Sequence, residues 1–368
     1  MRDGQSRLRF WRGLLATSVL QDVSCGGEDS GADDGVDTRA GGDCLGIEAG
    51  WVAAWGASPT PGVDDPSGTR SGETLRAVLT PTFGGDEARV RLSNRHGDGT
   101  VTFEHVTIAR RTVGASLAAD TITDVTFNGA SSVTVESGDE VISDPVAFVV
   151  EPFQSVAVSV VGPDDVRTQT QHPIARQTSY LTPPDAGDRT ADADGGAYTE
   201  TITTRPFVTG LDVRSSEPAG AVVAFGDSIT DGYQGEPPDG FPESSEGIDE
   251  DGRYPDVLAR RLAEAGRPLA VVNAGISGNR VLRDGVDGPV GETAGPAALD
   301  RVGDDILAVP GATAVIFLAG INDLGMPPND DPADIIDGYQ RLIERLQDEG
   351  LHVVHGTLTP AGGSTAYG

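Results

Sequence analysis

Short runs in which apolar and polar residues alternate fill the chain from about position 51 to position 213. They lie at 89–93, 101–108, 132–135, 147–150 and 156–161, with Gly, Asp, Asn and Pro between them. A period of two residues is typical of strands with one buried face, and the residues between the runs mark turns. This part of the chain is therefore predicted to form an antiparallel, all-β, sandwich-like domain.

The pattern changes after Gly220. Apolar runs lie at 221–225, 269–273, 314–318 and 351–355, and segments of helical period lie between them at 254–265, 297–307 and 334–349. Alternating strands and helices predict right-handed crossovers and a parallel sheet with helices on both faces, which is an α/β domain. The predicted division is an extension over 1–47, a β domain over 48–214 and the α/β domain over 219–368, with 215–219 as a linker.

The chain is strongly acidic. It has 57 acidic and 26 basic residues, a formal charge of −31, and every basic residue is arginine. Nucleic acid and anionic membrane surfaces are excluded as partners, because this surface would repel them. Dispersed carboxylates without lysine indicate adaptation to concentrated salt. The alternative, a calcium-binding surface, is less favoured because no run fits an EF-hand loop.

The first fifty residues are of a different kind. Their two cysteines, Cys25 and Cys44, lack the spacing of a zinc site. Basic residues at 7–12, an apolar stretch at 14–20 and the letters VSC ending at Cys25 resemble a lipoprotein leader, with Cys25 as the lipidated residue. A disordered extension is the alternative. No apolar run approaches the roughly 18 residues of a membrane span, and we expect an extracellular or cell-surface protein of a high-salt environment.

Three motifs follow three of the predicted parallel strands. They are FGDSITDG at 225–232, NAGISGN at 273–279 and AGIND at 319–323. Ser228 in a strand-to-helix turn would expose its hydroxyl and its own N–H. Gly278 lets a substrate carbonyl approach its N–H closely, and the Asn322 amide can donate to the same oxygen. Each motif alone is a weak signal, but their order and their placement at successive strand ends predict a catalytic site.

Together the three segments resemble the first three sequence blocks of the SGNH/GDSL hydrolases. The resemblance covers about 221–368 and implies a flavodoxin-like three-layer α/β/α domain that hydrolyses esters through an acyl-enzyme, without a metal or organic cofactor. It implies Ser228 as the nucleophile. The Ser228 N–H, the Gly278 N–H and the Asn322 side chain would form the oxyanion hole.

The preceding β region is similar to the N-terminal domain of one extracellular branch of that family, through the segments WVAAW at 51–55 and QTSY at 177–180. That branch includes arylesterases and xylan acylhydrolases. The implied substrate is a carboxylic ester with a short acyl group, including esters linked to carbohydrate.

The base is the point at which the sequence departs from the family. The family uses a histidine in a late Asp-x-x-His segment, and no such segment occurs among these 368 residues. Our interpretation is a chain truncated before that block. The five histidines are His96, His105, His172, His352 and His355. We expect structural roles for His352 and His355 and an interface position for His172.

Two further functions stay open beside ester hydrolysis. One is a catalytically inactive remnant that acts as a polysaccharide-binding surface protein. The other is a nucleotide-binding domain, which is disfavoured because GxGxxG and Walker spacings are absent.

Around the motifs, Asp227 and Asp323 are expected to brace the turns by hydrogen bonds rather than act as acids or bases. The acidic, Pro-rich loop at 235–252 is either a lid or a solvated insertion, and we favour the insertion.

Overall fold

The computed structural model describes residues 48–62, 72–163, 169–235, 244–285 and 291–358. The predictions for the extension 1–47, including the lipid anchor at Cys25, lie outside the described residues, as does part of the loop at 235–252. Among the residues that are described, no helix has the length and apolar character needed to cross a bilayer.

The first region is built from short strands. They are β1 (Glu48–Gly56), β2 (Thr60–Pro61), β3 (Thr74–Leu79), β4 (Gly85–Ser93), β5 (Val101–Phe103), β6 (Val106–Arg110), β7 (Thr123–Val125), β8 (Val133–Val135), β9 (Glu140–Ile142), β10 (Val146–Val150), β11 (Val156–Val161), β12 (Thr170–His172), β13 (Ser179–Leu181), β14 (Glu200–Ile202) and β15 (Arg205–Pro206). One sheet has the order β14-β13-β3-β11-β6-β7, and its pairs are antiparallel. Its apolar face shares one core with β4 and β10 of a second sheet, so this region is a sandwich, as predicted.

A single long strand, β16 (Val208–Gly226), enters both regions. Its first part pairs antiparallel with β1 and β4, and its last part pairs parallel with two strands of the second region. The segment 215–219, predicted as a linker, lies inside this strand, because Glu48 and Gly50 of β1 pair with Ala219 and Ser215. Turn-forming residues are therefore held extended by a neighbour that is distant in sequence.

The second region is the predicted parallel α/β domain. After β16 it contains α1 (Ser228–Asp231), α2 (Tyr254–Glu264), β17 (Leu269–Gly275), α3 (Ala298–Val302), β18 (Ala312–Leu318), α4 (Ile321–Gly325), α5 (Pro332–Asp348) and β19 (His352–His355). The parallel order is β17-β16-β18-β19. The helix predicted over 297–307 is α3 followed by a π-helical turn at Gly303–Leu307.

Helices cover both faces of this sheet. Val222 of β16 packs in one core with Leu258 and Leu262 of α2. Its neighbour Val223 points the other way, into a core that contains Leu342 of α5. The three layers place the carboxyl ends of β16, β17 and β18 side by side, which is where ligands bind in such sheets.

Candidate active site

The Ser228 turn begins where β16 ends. Ser228 is the first residue of α1, and Asp227 caps that helix by accepting a hydrogen bond from the Ile229 N–H at 3.0 Å. The Ser228 side chain is partly exposed. Within the described residues, its N–H donates to no acceptor. The turn therefore presents both the hydroxyl and the N–H of one residue, as the motif predicted.

Gly278 lies in the turn that follows β17. Its φ of 82° is in the left-handed region that favours glycine, and the Asn279 N–H closes the turn on the Ile276 carbonyl at 3.1 Å. Among the described acceptors, none receives the Gly278 N–H. Asn279 is fully engaged, since its amide donates to the carbonyls of Ala294 and Pro296 at 2.8 and 2.7 Å.

Asn322 is the second residue of α4 and is fully buried. Its Nδ2 donates to the Asn279 carbonyl at 2.9 Å. This bond ties the third motif to the second, directly beside Gly278.

Two more hydrogen bonds join the first motif to the others. The Gly226 carbonyl accepts from the Ile276 N–H at 3.1 Å, and the Asp227 N–H donates to the Leu318 carbonyl at 3.3 Å. The three strand ends are therefore mutually bonded, and the predicted residues Ser228, Gly278 and Asn322 lie on one edge of the sheet.

The expectation that Asp227 and Asp323 brace these turns is confirmed. Asp323 accepts hydrogen bonds from the N–H groups of Val281 and Leu282 at 2.9 and 3.1 Å, and burial raises its pKa. Asp227 is fully buried, and burial raises its pKa to about 7. Its Oδ2 has no partner in the described part of the chain.

Sequence reasoning missed Asp231, although it closes the first motif. Its Oδ2 accepts from the Ser277 N–H at 2.8 Å and from the Ser277 hydroxyl at 2.6 Å. Its Oδ1 lies 3.0 Å from His172 Nε2, and both side chains are buried. The sequence did contain a signal for this pair. Asp231 in the first motif and Ser277 in the second place an acidic and a hydroxyl side chain at neighbouring strand ends.

His172 is the interface residue that the sequence predicted. It belongs to β12 of the sandwich, and its Nδ1 lies 2.8 Å from the Ser58 carbonyl oxygen. Both ring nitrogens face acceptor oxygens. His172 thus joins the sandwich to α1 through a buried contact with Asp231.

The remaining histidines are placed elsewhere. His105 lies between Asp124 and Asp188 on the surface of the sandwich. His355 stacks on Phe317 and contacts the Tyr339 ring, and burial lowers its pKa. No histidine nitrogen in the described ranges forms a hydrogen bond with the Ser228 hydroxyl.

The buried arginine Arg301 is the second residue that the sequence did not single out. It lies in α3, and its guanidinium bonds the Gly226 carbonyl at 2.8 Å and Asn279 Oδ1 at 3.1 Å. An arginine on the apolar face of a predicted helix was the available signal. Over the residues described here, no group of three or more His, Cys, Asp or Glu side chains is arranged to hold a metal ion.

Comparisons with solved structures give loose matches. A mutant of the esterase AlinE4 is 24% identical with a TM-score of 0.29, and the match covers 40% of this chain and 63% of that one. The inhibitor-bound aryl esterase of M. smegmatis is 23% identical with a TM-score of 0.29, covering 37% of this chain and 64% of that one. A family two carbohydrate esterase from Cellvibrio japonicus is 12% identical with a TM-score of 0.27, covering 86% of this chain and 81% of that one. The chain therefore spans slightly less than two thirds of the two esterases named first.

A comparison with curated proteins finds no match. The family model described as the GDSL-like lipase/acylhydrolase family matches residues 224–368. This range contains the Ser228 turn, the Gly278 turn and the Asn322 helix, whose mutual hydrogen bonds are given above. Residues 224–368 therefore match the GDSL-like lipase/acylhydrolase family model over the part of the chain that holds all three motifs.

Proposed function

We propose that the protein is a serine esterase that cleaves carboxylic esters through an acyl-enzyme on Ser228. The proposal rests on one observation. The segments that follow β16, β17 and β18 are joined by hydrogen bonds at one edge of the parallel sheet. There, the N–H groups of Ser228 and Gly278 donate to no acceptor among the described residues. Two unpaired donors beside a nucleophile are what a developing oxyanion requires.

The chemistry follows from this arrangement. The Ser228 oxygen attacks the acyl carbon, and its proton passes to a base and then to the leaving alcohol. The N–H groups of Ser228 and Gly278, with the Asn322 amide, hold the negative oxygen of the tetrahedral intermediate. Water then attacks the acyl-enzyme, releases the acid and returns the proton to Ser228.

Ester hydrolysis also needs a base that takes the proton of Ser228. Within the described part of the chain, His172 is engaged by Asp231 and the Ser58 carbonyl, and His355 packs against two aromatic rings. Neither histidine bonds the Ser228 hydroxyl, so turnover that depends on Ser228 would require a base other than these two side chains in their described positions.

The test is hydrolysis of p-nitrophenyl acetate in about 2 M salt, where the acidic surface is screened, by the wild type and by Ser228→Ala. Ser137→Ala is the matched control, because this serine bonds the Gly97 carbonyl in the sandwich. We expect loss of turnover in Ser228→Ala only, together with a covalent adduct of an organophosphate on Ser228. Equal rates in all three folded proteins would contradict the proposal and favour the polysaccharide-binding alternative.

The proposed substrate class is a short-acyl ester, including acetyl groups linked to carbohydrate. Ile229, next to Ser228, is 38% exposed, and Leu324, two residues after Asn322, is 36% exposed. Two exposed apolar side chains offer a small surface for an acyl chain. We expect the acetate ester to be cleaved faster than the octanoate, and acetylated xylan to release acetate. A preference for octanoate would refute the short-acyl assignment.

A further inference from the structure

Arg301 contacts two of the three catalytic segments with one guanidinium group. Its Nη2 donates to the Gly226 carbonyl at 2.8 Å, its Nη1 to the Ala274 carbonyl at 2.8 Å, and its Nε to Asn279 Oδ1 at 3.1 Å. The side chain is 3% exposed. Planar guanidinium has five N–H donors in a fixed fork, so it can hold three acceptors at set relative positions.

These acceptors adjoin the predicted catalytic groups. Gly226 precedes the Asp227–Ser228 pair, and Asn279 follows Gly278 directly. The Asn279 carbonyl in turn accepts the Asn322 amide at 2.9 Å. One guanidinium therefore bonds both the segment that leads into the Ser228 turn and the loop that carries Gly278 and receives Asn322.

Arg301 is itself held from three further directions. Its Nη1 donates to the Ser58 hydroxyl, between β1 and β2, at 3.3 Å. Its guanidinium carbon lies 3.9 Å from the centre of the Phe225 ring, in a cation–π contact. Its Nη1 pairs with Asp305 Oδ2 at 2.9 Å. The other oxygen of Asp305 pairs with Arg95 Nη1 at 3.1 Å, and Arg95 belongs to the sandwich, two residues after β4.

We propose that Arg301 is a positioning residue that aligns the nucleophile turn with the oxyanion loop, and that Asp305 and Arg95 transmit its position from the sandwich. The inference rests on the proposed esterase function for its kinetic consequence. None of the described hydrogen bonds of Arg301 goes to the Ser228 hydroxyl, so it acts through the backbone that it bonds. A displacement of about 1 Å is enough to weaken nucleophilic attack and oxyanion binding.

The test variant is Arg301→Lys, which keeps the charge beside Asp305 but cannot bond three acceptors in a plane. In about 2 M salt we expect kcat for p-nitrophenyl acetate to fall about 10- to 100-fold, with KM changed less than about threefold. Ser228 labelling by an organophosphate should slow in parallel. Circular dichroism checks that the variant is folded. A folded variant whose kcat stays within threefold of the wild type would overturn the inference.

If Arg301→Lys does not fold, a second variant tests whether Asp305 and Arg95 hold Arg301 in position. Asp305→Asn removes the charge that links Arg301 to Arg95, and we expect it to lower kcat. Arg89→Gln is the matched control, because Arg89 also pairs with a carboxylate, Asp212 at 3.1 Å, and stacks on Trp51 at 3.9 Å. Equal kcat values for these two variants would overturn the coupling to the sandwich.

Amide hydrogen exchange separates this inference from the esterase proposal. Peptides that cover 226–232 and 274–280 should exchange faster in Arg301→Lys than in Arg89→Gln, whether or not the wild type turns over substrate. A wild type without Ser228-dependent turnover refutes the esterase function. Unchanged exchange in both peptides refutes the role of Arg301.

Discussion

Burial controls the charge of Asp227, the residue that precedes the nucleophile. The carboxyl is fully buried, and its Oδ1 accepts one hydrogen bond, from the Ile229 N–H. Burial raises its pKa to about 7, against 3.8 for an exposed aspartate. The raised value means that the folded protein holds this proton at pH values where the unfolded chain has released it.

This difference predicts a loss of stability as the pH rises. Between about pH 4 and pH 7 the unfolded chain ionises at Asp227 while the folded chain does not. The free energy of unfolding should therefore fall by up to about 4 kcal/mol over that window. Asp227→Asn removes the titration and keeps an acceptor for the Ile229 N–H. We expect its stability relative to the wild type to rise from pH 4 to pH 8, measured by urea unfolding at fixed salt.

Asp144 supplies a control of opposite sign. Hydrogen bonds from the Gly129 N–H, the Thr126 hydroxyl and the Asn128 N–H lower its pKa. The contribution of this group is present above the unfolded pKa and is lost as the pH falls through the lower folded value. Asp144→Asn should thus differ most from the wild type at neutral pH and converge with it in acid. A pH-independent difference for Asp227→Asn would refute the buried-acid explanation.

At the scale of elements, the helix that carries Asn322 depends on a glycine. Gly320 precedes α4 with a φ of 119°, and a Cβ at this position would lie 2.0 Å from the Tyr339 hydroxyl oxygen. Gly320→Ala therefore combines backbone strain with a steric clash. We expect a loss of about 2–4 kcal/mol in unfolding free energy, by urea denaturation in high salt.

Gly266 provides the comparison for Gly320. Its φ is 64°, and a Cβ there would meet no atom within 4 Å, so Gly266→Ala reports strain alone, about 1–2 kcal/mol. Adding Tyr339→Phe to Gly320→Ala should restore part of the loss by removing the clashing hydroxyl. Equal losses of unfolding free energy in Gly320→Ala and Gly266→Ala would show that the clash with Tyr339 does not destabilise the protein.

The pairing of His172 with Asp231 predicts how tightly β12 and α1 are joined. Both side chains are buried, so His172→Ala leaves Asp231 Oδ1 without its hydrogen-bond partner while Oδ2 keeps its two bonds from Ser277, at a cost of about 1–3 kcal/mol. His105→Ala is the matched control, because its pair with Asp188 has side chains that are 25% and 48% exposed. That variant should lose less than about 1 kcal/mol. Comparable losses of unfolding free energy in the two variants would contradict a stabilising role for the buried contact between His172 and Asp231.

The elements also show what the sequence could predict and what it could not. Local patterns were enough for three strands. The buried positions of β4 alternate with more exposed ones, and β11 and β17 are apolar runs that are buried along all or nearly all of their length. Local patterns failed at 215–219, where extended structure is imposed by pairing with β1, more than 160 residues earlier. They also merged β5 and β6, which are separated at Glu104 and His105.

The same limit applies to the site. The placement of Ser228, Gly278 and Asn322 at one edge of the sheet was predictable, because each lies in a motif directly after a strand. The contacts of Arg301 could not be predicted, because the acceptors Asn279 and Gly226 lie 22 and 75 residues away in sequence and only the folded chain brings them together. Sequence patterns report which residues share a face, whereas a hydrogen-bond network across three strand ends depends on tertiary packing.

At the scale of the whole molecule, charge pairs bridge the sandwich and the α/β domain. Arg95 pairs with Asp305 of the α/β domain and, at 3.6 Å, with Glu140 of the sandwich. Arg91 pairs with Glu140 at 3.0 Å. Because these side chains are largely shielded from solvent, salt screens them less than it screens charges on the open surface.

A net charge of −31 with no lysine predicts that the folded protein depends on salt. Repulsion among exposed carboxylates acts over a Debye length of about 10 Å at 0.1 M salt and about 3 Å at 1 M. The midpoint of thermal unfolding should therefore rise steeply between about 0.1 M and 1 M sodium chloride, while the shielded pairs at Arg95 persist. Sucrose is the control, because it strengthens apolar burial without screening charge. Full stability in dilute buffer, or equal stabilisation by sucrose, would contradict salt adaptation, since neither outcome requires screening of the acidic surface.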